Sequence, residues 1–492
     1  AVLFSNLTTA VGFGVFTLTG SKVLQEFGTT AFLSIMAVFL ISIILIPVLF
    51  SFLPEPKTKH TKHLDYKFLN KLIEKFIVIV NSNRRPVYIT SVAIVVLSFI
   101  GMSMLKNIGY MVDDISKGDR LYKDLKFFEK NVSGVMPFEI VVDTKKPQGV
   151  YSVRSLMNID LLERKLEAFD EFSKPMSISQ TMKFLNQAYY DGEPRRYTPP
   201  SVLDLGNIMS AVPQGSTNQS MIDNLIDRDN QKARISVQMA DVGSVRIKEL
   251  NEEVNNIADS IFNYDRVIKD IFTDSISSIV FDSTINALDT TYYSYKETTY
   301  TPVSKSRKVG IDITGTSVIF LKGNDYLISN LLMSLALAFL IISLLMASIF
   351  KSLRMILISI IPNIIPLLFT AGIMGFFGVN FKPSTVLVFS VAFGIAVDFS
   401  IHFLTKYKME LKTSGIANAV STVQREISTS MIYTAVILFF GFIIFVFSDF
   451  GGTIALGLFT ALTLFIALLS NLVLLPSLLL SYDKAKTKKL NK

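Results

Sequence analysis

Gly394, Asp398 and His402 follow one another at four-residue intervals inside an apolar stretch, 383–405, whose only acid is Asp398. On a helix this spacing stacks the three on one face, one turn apart. A carboxyl group in such a stretch is suited to taking up and releasing protons, because its charge is costly in a medium of low dielectric. Glycine lets a neighbouring helix approach the acid closely, and an imidazole one turn away could share or relay its proton. Thr434, in an adjoining apolar run, could offer a hydroxyl partner. Asp398, His402 and Thr434 are thus the candidate proton-coupling residues. Each has a plainer reading. Asp398 could be a structural carboxylate satisfied by Thr, Tyr or His, His402 a satisfied interfacial histidine, and Thr434 a hydroxyl bonded to its own helix.

Other chemistries find little support. With no cysteine among 492 residues, disulfide scaffolds and thiolate metal sites are excluded. His60 and His63 lie among lysines without further ligands, so no metal is expected. No glycine-rich loop ends in Gly-Lys-Ser/Thr, so ATP is disfavoured and an ion gradient remains. Neither a catalytic residue nor a cofactor is indicated.

The elements that must position Asp398 are membrane spans. Half the residues are apolar, the mean hydropathy is +0.45, and the apolar residues gather into eight uncharged or nearly uncharged runs: 1–21, 27–54, 86–105, 326–350, 355–381, 383–405, 427–448 and 450–482. Each reaches the roughly 20 residues that a helix needs to cross a bilayer. The net charge of +8 is confined to two flanking segments, 54–85 at +5 and 481–492 at +4, which argues against a nucleic-acid surface. Alternation of sides then places the basic loops in the cytoplasm and the long polar stretch outside. The expected domains are 1–54, two spans; 55–85, a cytoplasmic linker; 86–105, one span; 106–325, an extracytoplasmic domain; 326–482, a five-helix bundle; and 483–492, a basic tail.

In the linker, Leu69, Ile73, Phe76, Ile77 and Val80 recur at helical spacing between lysines, which fits either an interfacial helix or one packed on the ends of the spans. In the outer domain, strands at 138–142, 233–239 and 309–313 and helices at 153–172 and 244–262 suggest a split βαβ, ferredoxin-like module. The Tyr/Thr/Ser-rich segment 265–308 fits no periodic template and is expected to be an insertion or long loop.

The two ends of the chain resemble each other. Thr9, Ala10 and Val11 recur as Thr434, Ala435 and Val436, while Gly28 and Pro47 recur at the same separation as Gly457 and Pro476. The first pair of anchors differs by 425 residues and the second by 429, about one helical turn. Duplicated multi-helix units are a feature of transporters. If the repeat is real, the first copy has only its last two spans here, and a chain lacking an N-terminal half is expected.

Ile361, Pro362, Asn363, Ile364, Ile365 and Pro366, then Gly372, Gly375 and Gly378, then the run from Gly394 to Phe403, resemble the RND superfamily. Within it the sequence is most similar to the MMPL/Patched-like exporters with a sterol-sensing-type domain; Gly315, Thr316, Asn324, Asp325 and Tyr326 are similar to that branch too. The resemblance implies a polytopic α-helical membrane protein, eight spans here of twelve, with an extracytoplasmic α+β ferredoxin-like porter domain. It also implies a secondary exporter of lipid or another hydrophobic substrate in a bacterial inner membrane, driven by an ion gradient, the proton being the expected ion. The family's acidic motif falls on Gly394 and Asp398. Many members carry a second polar residue after the acid, where this sequence has Phe399, and whether one acid or two couple in this half stays open. Gly394, Pro362, Asn363 and Pro366 are the expected packing and motif residues, the prolines kinking or breaking their span. The expected partners are the lipid bilayer and the substrate, with room for a homo-oligomer and a periplasmic partner. The alternative is a sterol-sensing-like lipid sensor or scaffold without turnover.

Overall fold

The computed structural model describes residues 2–54, 67–105, 108–110, 114–131, 134–211, 222, 224–273, 293–304 and 308–481. The basic tail and the segment with His60 and His63 lie outside them. The chain divides into two units, Ala1–Tyr122 with Lys322–Lys492, and Lys123–Leu321. In chain order, the first unit opens with α1 (Val2–Gly14), a 3-10 turn (Val15–Leu18), α2 (Lys22–Phe52), α3 (Lys67–Ser82) and α4 (Arg84–Ser103). Next come α5 (Arg120–Asn131), β1 (Met136–Asp143), α6 (Val153–Leu166), α7 (Ile178–Tyr189), α8 (Val202–Ala211), β2 (Lys232–Met239), α9 (Gly243–Asn263), β3 (Tyr264–Thr273), β4 (Tyr293–Pro302) and β5 (Gly310–Thr314). The chain then continues with α10 (Thr316–Phe350), α11 (Leu353–Phe376), α12 (Pro383–Glu410), α13 (Ile416–Ile443), a 3-10 turn (Ile444–Phe447) and α14 (Gly451–Leu469), which runs on through a π turn at Ser470–Leu474.

Seven helices among the described residues are long and apolar enough to cross a membrane. The first apolar run is the exception, because its stretch Leu3–Leu18 is about 24 Å long at 1.5 Å per residue, short of the roughly 30 Å hydrocarbon core. The buried helix is α12, whose Ala392, Phe393, Ala396 and Phe403 have no exposed surface. By contrast α2 exposes Ile41, Ile44, Leu45 and Leu49, as suits a helix whose solvent is lipid.

Close backbone contact organises the bundle at several glycines. A Cβ on Gly375 would lie 1.8 Å from the Gly101 carbonyl oxygen, and one on Gly372 would lie 2.6 Å from the Ser98 Cα, so α4 and α11 touch main chain to main chain. Gly378 has a different duty. Its φ of +65° ends α11, with its own N–H and that of Val379 donating to the carbonyls of Gly375 and Met374. Of the kink or break expected at Pro362 and Pro366, the break does not occur: the helix is continuous through both. Both prolines are buried, and beside them Asn363 donates to the Ser359 carbonyl.

The α3 helix turns Leu69, Ile73 and Ile77 onto Ile432 and Tyr433 of α13 and leaves Phe68 exposed. One face of α3 is thus packed on a span.

The repeat acquires a register. Each copy runs helix, 3-10 turn, helix, with the turns at Val15–Leu18 and Ile444–Phe447 and the second helices starting at Lys22 and Gly451. A Cβ on Gly28 would meet the Phe13 carbonyl and the Phe16 Cβ, and one on Gly457 would meet the Phe442 carbonyl and the Phe445 Cβ. All these pairs differ by 429 positions. The Thr-Ala-Val match at 425 is therefore one turn out of register, and the counterpart of Thr434 is Ser5.

In the second unit β1 pairs antiparallel with both β2 and β5, in the order β2-β1-β5. The outer strands thus run parallel to each other around β1, and with α9 between them in sequence they form a split βαβ unit; the sheet has three strands among the described residues. Its buried face, including Phe138, Ile140, Ile235 and Val237, packs on Leu156, Ile159 and Leu162 of α6 and on Ile247, Leu250 and Val254 of α9. The segment expected to be a loop contains an antiparallel ribbon, β3 with β4, in register from Tyr264 opposite Pro302 to Thr273 opposite Tyr293. Its Thr, Tyr, Val and Ile content favours extended backbone.

A polar cluster sits within the core of this unit. Lys183 of α7 contacts Asp160 at 2.5 Å and Glu163 at 3.5 Å, both on α6, and Ser177 donates to Glu163. Burial pushes the Glu163 carboxyl above the ordinary glutamate range, against the opposing pull of Ser177 and Lys183. The folded state thus holds a proton that the unfolded chain gives up, so the stability this group contributes is full at low pH and is lost as pH rises through the raised value. Glu163→Gln is expected to flatten that loss, measured as the thermal midpoint between about pH 4 and pH 8. In the membrane unit, Gly375→Leu is expected to destabilise by about 1–3 kcal/mol or more in detergent unfolding, because α4 has no room to yield.

Candidate functional site

Asp398 lies midway along α12, facing α1. The two helices meet at a pair of glycines: a Cβ on Gly12 would lie 2.8 Å from the Gly394 Cα, and one on Gly394 would lie 3.0 Å from the Gly12 Cα. Thr9 Oγ1 approaches the Gly394 carbonyl at 3.5 Å. With the backbones this close, a short side chain on α1 reaches the acid one turn further along α12, and Ser5 Oγ donates to Asp398 Oδ1. From its own helix, His402 brings Nε2 to 3.3 Å of the same oxygen.

Asp398 therefore has a hydroxyl donor from one helix and an imidazole from its own, both on Oδ1. Such a group can be exchanged between two bonding patterns. As a carboxylate it accepts from Ser5 and from a protonated His402, and as a carboxylic acid it can itself donate. A buried hydrogen bond is expensive to leave unmade, at about 1–3 kcal/mol, so a change of protonation also changes which helix arrangement is preferred. Phe399 points away into the apolar core at 2% exposure, and among the described residues Asp398 has no acidic neighbour on α12.

Gly394, Asp398 and His402 are thus together, as their spacing implies. Thr434 is not with them. It lies on the exposed side of α13, whose buried side carries Met431 and Ala435, and no hydrogen bond joins it to Asp398 among the described residues. Ser5 holds the place that Thr434 was expected to fill. Its signal was present in the repeat, but only at the 429 offset.

Asn363 belongs to a second cluster on another side of α12. Its Nδ2 donates to Ser400 Oγ at 2.7 Å, Ser400 Oγ donates to Asn471 Oδ1 at 2.5 Å, and Asn471 Nδ2 donates to Asn363 Oδ1 at 3.1 Å. All three residues have no exposed surface. The closed ring ties α11, α12 and the π turn after α14, and a π turn is a local widening often found where a helix must offer a side chain out of its regular order. Ser400 and Asn471 carried no periodic or spacing signal. Pro362 and Pro366 flank Asn363 within α11 rather than the acid. Among the described residues there is no group of three or more His, Asp or Glu that could hold a metal.

A bundle of long apolar helices around one carboxyl group defines a polytopic helical membrane protein. Residues 289–491, which include α10 to α14 and so Asp398, match the model of the MMPL family. This is the family its motifs resemble, one of RND-type transporters. No curated protein matches the chain.

Withdrawal of the Ser5 donor leaves the charged form of Asp398 less well stabilised. Ser5→Ala is expected to speed the modification of Asp398 by a hydrophobic carbodiimide, which attacks the protonated acid, by about fivefold for about 1 kcal/mol. Thr434→Ala should leave it within about twofold, both read by mass spectrometry of the α12 peptide.

Proposed function

We propose that the protein is an RND-type secondary exporter that moves a lipid or another hydrophobic molecule at the expense of a proton gradient, with Asp398 as the coupling acid. The observation that carries this reading is the single carboxyl group of the apolar spans, held between Ser5 of α1 and His402 of α12 beside a glycine-to-glycine helix contact. Such a contact can slide or part without repacking large side chains. Protonation that exchanges acceptor for donor at Asp398 then biases α1 between two positions on α12, and a bias of about 1–3 kcal/mol shifts such an equilibrium about 5- to 150-fold.

In this reading the basic flanks are cytoplasmic in a bacterial inner membrane, and residues 106–325 form an extracytoplasmic, ferredoxin-like porter domain through which the substrate leaves. His402 relays the proton toward the basic side, near which its helix ends. The family match favours transport over a lipid sensor without turnover.

The test is release of hydrophobic molecules from vesicles bearing the protein under an imposed pH gradient. Asp398→Asn, which cannot take up a proton, is expected to reduce gradient-driven release to the ungated background while the variant still folds. Equal release from wild type and variant would return Asp398 to a structural role. Release from neither would favour the sensor.

A further inference from the structure

Two apolar grooves lie beside α3 and share Leu469 in their linings. The larger, about 590 Å³, is lined by Leu72 and Phe76 of α3, Ala435 and Phe439 of α13, and Phe465 and Leu469 of α14. The other, about 390 Å³, begins at Ile79 of α3 and continues along Val87 and Ile94 of α4 to Leu469 and Val473. Leu469 belongs to both, so the two lie side by side as paired channels rather than as unrelated hollows.

The charges around α3 are arranged unevenly with respect to these grooves. At 100° per residue, Leu69, Ile73, Ile77 and Val80 form the buried face, with Leu72 and Phe76 on one edge of it. Continuing around that same edge come Ile79, Phe68, Lys75 and Lys71. The opposite edge carries Glu74, whose carboxylate is held by Arg425 of α13 at 2.8 and 3.2 Å. Lys71, Lys75 and Arg85, which precede the groove residues Leu72, Phe76 and Pro86, are all exposed, and no acidic partner pairs with them among the described residues. Around α3, Lys75 lies about 40–60° beyond the groove residues Ile79 and Leu72 and Lys71 about 40° further, while Arg85 directly precedes the groove residue Pro86, so exposed cations border the flank that carries the two grooves.

We propose that this flank of α3 is a binding site for one anionic phospholipid, its two acyl chains divided by Leu469 and its phosphate held by Lys71, Lys75 and Arg85. Two neighbouring grooves fit a two-chain lipid, and three cations without acids select an anionic headgroup over a zwitterionic one. The bound lipid fills the space between α3, α13 and α14 and so steadies the helix that links the two repeats. It is a resident of the fold rather than the exported molecule, and the site stands whether or not the transport reading holds.

The full chain, delipidated in neutral detergent, is titrated with phosphatidylglycerol or phosphatidylcholine of identical chains and the bound lipid counted by native mass spectrometry. Wild type is expected to prefer phosphatidylglycerol by about fivefold for each contacting cation. Lys71→Gln, Lys75→Gln and Arg85→Gln together should bring the preference to within about twofold while leaving phosphatidylcholine binding unchanged, which also reports that the variant is folded. Lys22→Gln, at the start of α2 and outside the lining of both grooves, should keep the preference. Val436→Trp, which intrudes on the larger groove, should weaken both lipids. Equal binding of the two lipids by wild type, or a preference that survives the three substitutions together, would overturn the proposal and leave only the general lipid coat of a membrane protein.

Discussion

A carboxyl group among apolar helices has lost its water, and the protein must supply what water supplied. Everything around Asp398 follows from that requirement. Donors to the acid have to come from within hydrogen-bond distance, yet the helix that carries it is the most enclosed in the bundle. Only a helix packed at backbone distance can reach in with a side chain as short as serine. Glycine on both sides of the contact, Gly12 and Gly394, makes that distance attainable, because a methyl group at either position would run into the opposing Cα. The interaction joins residues 393 positions apart in sequence.

The other polar ring of the bundle solves a related problem differently. Asn363, Ser400 and Asn471 satisfy one another and leave no group seeking water. A neutral closed ring of this kind holds three helices in fixed order, whereas Asp398 offers a site whose bonding changes with its proton. One side of α12 is therefore fastened and another adjustable.

The second unit shows how far periodicity reaches. Its three-stranded sheet and two covering helices were legible because each element alternates or repeats with a core beneath it, and β1, β2, α6 and α9 fall where those patterns lie. The β3–β4 ribbon was not legible, since the pattern rule reads burial and this ribbon is specified by the extended-backbone preference of Thr, Tyr and β-branched residues. Helix ends were misjudged for the opposite reason. Apolar runs stop at the first charge, while hydrogen bonding carries α10 and α12 beyond it into regions where lysines and acids are solvated.

Seven of the eight expected spans, the acid within one of them, the stacking of Gly394, Asp398 and His402, and the existence of a repeat could all be determined from the sequence, because each depends on composition or on spacing within one helix. The partner of that acid could not. Thr434 satisfied every local criterion and sits on the wrong side of its helix, while Ser5 shows no local sign of its part. Which helices touch is settled by where small residues permit close approach, and that is a property of pairs of surfaces. The tertiary structure alone brought Gly12 to Gly394, moved the repeat by one turn, and so decided that the hydroxyl on Asp398 comes from the other end of the chain.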